Sequence, residues 1–231
     1  TLLLILVAIS YLQTLHAYPS GGGSYAVTRA NLGLLPGLVA AAALLIGYLL
    51  TAAVSLTAAV AAIASAFPAI WAQRVPAALI LLAIITLANL RGTRESGTVM
   101  TIPVYLFVVS YLGMLAYGTI RLLLGLPLAV STPAPTPAEA LTMALVLRAF
   151  ASGCTALTGI EAISNGVPVF QEPKSRNAAT TLVAMAALMG VLFVGSVGLT
   201  QALHVTAGPD ETILSALARS IVGEGPLHWF I

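Results

Sequence analysis

Charge is what this chain has least of. Asp, Glu, Lys and Arg make up only 7% of its 231 residues, where a soluble domain carries about 25%. A fully solvated surface is therefore not expected. Cysteine is almost missing as well. Cys154 stands alone, so no disulfide can form within the chain. The net charge of +2 is too small to make a nucleic-acid surface. No two His, Cys or acidic residues have metal-ligand spacing. There is no phosphate-binding loop and no arguable Ser-His-Asp pattern. An enzyme is not expected, nor a cofactor.

Apolar residues take the vacated share, at 59%. They gather into runs long enough to cross a bilayer, which takes roughly 20 residues each. The runs lie at about 1–17, 35–66, 76–90, 98–124, 140–170 and 178–204. None shows the strict alternation of a membrane β-barrel. The chain reads as an all-α membrane protein with about six transmembrane helices, surrounded by membrane lipids. Residues 210–222 read as a short amphipathic surface helix, with Ile213, Leu214, Leu217 and Ile221 on one side.

The connectors are equally marked. Tyr18-Pro19-Ser20-Gly21-Gly22-Gly23-Ser24 must end the first helix, and Tyr25 to Gly33 fits a short interfacial helix. Phe67 to Val75 reads as a loop, and Arg91 to Gly97 and Gln171 to Asn177 as charged turns. Leu126 to Glu139 is a proline-rich connector. Arg29, Arg91, Arg94, Lys174 and Arg176 follow the first, third and fifth runs; Arg74, Arg121 and Arg219 lie on the opposite side. That bias puts the first set in the cytoplasm. Both ends of the chain read as cuts through helices, with Thr1 inside an apolar run and Leu227 to Ile231 like the start of another span.

One acid interrupts the apolar runs. Glu161 lies in the fifth, amid Gly153, Thr155, Thr158, Gly159, Ser164 and Gly166. A carboxylate in a bilayer costs several kcal/mol and is rarely there for stability. Glycines weaken a helix, so a break is expected here, with Gly153 and Gly159 as the breaking residues. Carbonyls freed by a break need a partner in lipid. Thr158 and Glu161, three apart, share a face if the backbone is helical there. A hydroxyl, a carboxylate and loose carbonyls make a hard oxygen site for a small cation, and Glu161 is also able to carry a proton. The plainer reading is a Glu near a helix end, bonded across to a neighbouring helix. Arg148 reads as a snorkelling side chain.

A second polar feature lies on the second run. Tyr48, Thr51 and Ser55 are spaced three and four apart, which places them on one helical stripe. They line a polar path, or their hydroxyls bond back to their own helix. Spacing alone does not choose.

Two motifs resemble a known group. Tyr18 to Tyr25, and Gly159-Ile160-Glu161 followed by Glu172-Pro173-Lys174-Ser175-Arg176-Asn177, are similar to the loop after helix two and to helix six of amino acid–polyamine–organocation (APC) superfamily permeases. Asn89 to Gly97 and Ala151 to Gly166 further resemble the KimA-type bacterial potassium importers. The resemblance implies an incomplete APC/LeuT-like inverted-repeat transporter fold, with one helix broken, in the bacterial cytoplasmic (inner) membrane. It implies that the runs are helices two to seven, with helix eight beginning at the C-terminal end. It also implies proton-coupled potassium import, with potassium ion and proton as transported species. The potassium ligands of that family match Tyr48, Thr51, Ser55, Thr158 and Glu161. The family acts as dimers, which implies a homodimer of the full-length protein. The alternatives are a permease for an amino acid substrate in the same superfamily, and a non-transporting membrane fragment or scaffold. No aromatic occurs between Ala151 and Asn165 to cover an amino acid.

Overall fold

A computed structural model describes residues 2–90, 93–126, 142–208, 211–223 and 225. Every regular element among them is helical. In chain order these are α1 (Leu2–Ala17), α2 (Gly23–Leu32), α3 (Leu34–Ala66), α4 (Arg74–Leu90), α5 (Thr93–Leu123), α6 (Met143–Cys154), α7 (Ile160–Asn165), α8 (Lys174–Ala202) and α9 (Ile213–Val222). Short 3-10 turns cover Pro68–Gln73, Thr155–Leu157 and Val167–Val169. Pro36 and Pro76 fall in the first turns of α3 and α4, where a missing N–H leaves no bond unmade.

Among the described residues, four helical stretches are long and apolar enough to cross a membrane: Leu34–Ala66, Pro68–Leu90, Met100–Leu123 and Lys174–Ala202. Leu2–Ala17 and Met143–Cys154 are apolar but shorter. Large apolar side chains stay exposed along the spans, as with Leu35, Val39 and Leu49 of α3. Lipid tails are as apolar as leucine, so this exposure carries no hydrophobic cost in a bilayer.

Some connectors differ from the sequence expectation. Phe67 to Val75 is a 3-10 turn running into α4, because Pro68 supplies a ready first helical position. Residues 93–97, expected in a charged turn, are the first turn and more of α5. The proline-rich connector lies outside the described residues, except for Leu126. The helix at 213–222 buries one face, with Ala216, Leu217, Ala218, Ser220 and Ile221 covered, while Ile213 and Leu214 stay exposed.

The chain forms two compact units. The first contains residues 1–52 and 139–193. Its core joins Leu4, Ala8 and Leu15 of α1 to Ile160, Val167, and Ala178 and Leu182 of α8. Leu4, Ala8 and Leu15 recur at four and seven, a single helical stripe. Ser175 donates its hydroxyl to the Leu15 carbonyl at 2.8 Å. That satisfies one of the carbonyls left open at the end of α1.

The second unit contains residues 53–138 and 194–231. Here Tyr111, Met114 and Leu115 of α5 are buried. A Cβ on Gly118 would lie 2.7 Å from Ile221 Cδ1, so the glycine lets α9 approach closely. Tyr111 Oη and Ser196 Oγ are hydrogen-bonded at 2.8 Å. Thr212 caps α9 by accepting from the Ser215 N–H at 3.3 Å.

Candidate functional site

The fifth apolar run is interrupted rather than continuous. Thr142 caps its first helix, α6, which ends at Cys154. A 3-10 turn follows over Thr155–Leu157. Thr158 then turns extended, with ψ 140°. Gly159 takes φ 103°, a conformation open to glycine and strained for other residues. α7 starts afresh at Ile160 and lasts six residues.

Two expectations are corrected here. Gly153 does not break the helix: it lies inside α6, one residue before its end, in ordinary helical conformation. Only Gly159 of the two adopts a positive φ. Thr158 and Glu161 also do not share a helical face, because the extended Thr158 and the left-handed Gly159 separate them. The Thr158 hydroxyl instead donates to the Thr155 carbonyl at 2.8 Å.

Glu161 occupies the first turn of α7 and is half-buried. Tyr11 of α1 donates its phenol to Glu161 Oε2 at 3.3 Å. The same phenol lies 3.4 Å from Ser24 Oγ at the start of α2. One turn past Glu161, Asn165 Nδ2 donates to the Tyr48 phenol on α3. Glu161 and Asn165 are four apart and so lie on one side of α7. Each meets a tyrosine from a different helix.

Thr51, one turn along α3 from Tyr48, is half-buried within the same unit. Ser55 continues that stripe but belongs to the second unit and is exposed. Thr57, off the stripe, returns its hydroxyl to the Ala53 and Val54 carbonyls at 3.1 and 2.9 Å. The site thus brings Tyr48 of α3 against α7, which bears Glu161, places Thr51 one turn along α3 from Tyr48, and commits the Thr158 hydroxyl to the backbone.

The glycine-rich loop between α1 and α2 closes this arrangement from one side. Gly21, Gly22 and Gly23 have φ of 81°, 95° and 44°. A Cβ on Gly21 would sit 2.7 Å from Pro168 Cδ, and one on Gly23 would overlap Asn165 Oδ1. Two motifs far apart in sequence are therefore in direct contact.

Sequence reasoning overlooked Tyr11, and gave Ser24 and Asn165 no individual role. Tyr11 is the single tyrosine of an aliphatic helix, which was the available signal. The oxygens gathered here are a carboxylate, two phenols, a hydroxyl and an amide. Such hard donors suit an alkali or alkaline-earth cation better than a soft metal. Among the described residues, no group of three or more His, Cys, Asp or Glu side chains could hold a metal ion.

The chain is 44% identical over 235 aligned positions to the potassium transporter KimA of Bacillus subtilis (strain 168). The alignment takes in 100% of this chain but 38% of that protein, so the chain spans under half the length of its relative. The family profile described as "Amino acid permease" matches residues 1–222. With a polytopic all-helical chain, a span broken beside its one acid, and a profile match over nearly its whole length, the chain belongs to the amino acid permease family.

Proposed function

We propose that the full-length protein is a secondary transporter that imports potassium together with protons across the bacterial cytoplasmic membrane. The observation that carries this reading is Glu161 at the start of a helix that begins anew inside an apolar segment. Its neighbours there are the Tyr11 phenol and, through it, Ser24. The identity to a potassium transporter supports the choice of ion.

Each residue has a part in this proposal. Glu161 supplies the negative charge that offsets a desolvated cation. Tyr48 and Thr51 contribute oxygens from the part of α3 that lies in the first unit. Thr158 contributes its oxygen as acceptor, since its proton points to the Thr155 carbonyl. A coordinating hydroxyl offers a lone pair, so that hydrogen bond is compatible with ligation.

Amino acid transport is the second reading, favoured by the family description. Against it stands the lack of any aromatic from Ala151 to Asn165 that would cover a zwitterion.

The test is growth of a potassium-uptake-deficient strain on low potassium, with labelled amino-acid uptake measured in vesicles alongside. Rescue without amino-acid transport is expected; the reverse result would establish the second reading. Glu161→Gln is expected to abolish coupled uptake while leaving membrane insertion intact. Near-normal potassium uptake by that variant would refute the role given to Glu161.

A further inference from the structure

Asn165 is held from two sides. Its Nδ2 donates to the Tyr48 phenol. Its Oδ1 abuts Gly23, where any Cβ would overlap it. That Oδ1 is buried and has no hydrogen-bond partner among the described residues. With no such partner, Oδ1 does not fix the orientation of the amide. The bond to Tyr48 and the close contact with the glycine loop do so.

We propose that Asn165 is a positioning residue for Tyr48: it aims the phenol oxygen of α3 at the cation site, and the absent side chain of Gly23 gives the amide room to do it. The inference rests on the reading of Tyr48 as a cation ligand given above. It adds a link from the α1–α2 loop through α7 to α3, all within the first unit. The chemistry is consistent. A phenol that accepts from the amide keeps its own proton free to turn away, so a remaining lone pair faces the cation. Without the amide, the Tyr48 ring, 37% exposed, is free to leave that orientation.

A double-mutant cycle on the full-length transporter, purified and reconstituted in proteoliposomes, tests this with potassium uptake as the readout. Tyr48→Phe, Asn165→Ala and the double variant are compared for KM and Vmax. Loss of one positioning hydrogen bond is expected to raise KM for potassium about fivefold. Vmax should stay near that of the parent. In the Tyr48→Phe background, Asn165→Ala should add nothing further, because the group it positions is already gone.

A merely structural Asn165 would give additive effects, or a fall in Vmax with KM unchanged. Either result overturns this inference while leaving the cation site standing, as does an unchanged KM for the Asn165 variant when Tyr48→Phe raises it. An unchanged KM for Tyr48→Phe overturns both the inference and the ligand role of Tyr48. If Asn165→Ala does not fold, Asn165→Leu, which keeps most of the volume, takes its place in the cycle.

Discussion

Replacing Gly159 and Gly153 by alanine should push stability in opposite directions. Both glycines have open space where a Cβ would go, with no heavy atom within 4 Å. Steric packing therefore contributes nothing, and only the backbone decides. Gly159 has φ 103°. An alanine held in such a region costs about 1–3 kcal/mol. Gly153 is inside α6, where alanine is more favourable than glycine by roughly 0.5–1 kcal/mol. The two variants should then differ by about 1.5–4 kcal/mol. The assay is the thermal transition of the purified full-length protein in detergent, with all variants in one buffer. Gly159→Ala is expected to melt below the parent, and Gly153→Ala at or above it. If both variants melt higher, the segment is a continuous helix and the break before Glu161 is refuted.

Other expectations concern the neighbours of that break. Gly23→Ala should raise KM for potassium by displacing the Asn165 amide, and an unchanged KM would show that the loop yields without consequence. Thr51→Val and Thr158→Val should weaken potassium affinity while expression and melting temperature change little; equal affinity in both would remove these hydroxyls from the site.

How much of this was legible in the sequence depends on distance along the chain. Glu161 was conspicuous because an acid in an apolar run is costly, and the glycines near it predicted a break. Which glycine breaks was not legible. Composition treats Gly153 and Gly159 alike, but only Gly159 follows an extended residue and takes a positive φ. A glycine permits a break without requiring one. The stripe of Tyr48, Thr51 and Ser55 followed from helical periodicity, a local property. The partner of Glu161 did not: Tyr11 lies 150 residues earlier, and periodicity says nothing about which helices meet. The 3-10 turn at Pro68–Gln73 was read as a loop because its length is too short to show a period. What covers the apolar side of α9 was not legible for a related reason. Its amphipathic pattern is the same whether the apolar side meets lipid or another helix, and here Gly118 of α5 leaves room for Ile221.

α7 spans only six residues, fewer than two turns at 3.6 residues each. A helix that short does not persist on its own strength. Its direction is borrowed from α1, from the glycine loop and from α3, so whatever tilts one of those supports re-aims the acid without any span having to unravel.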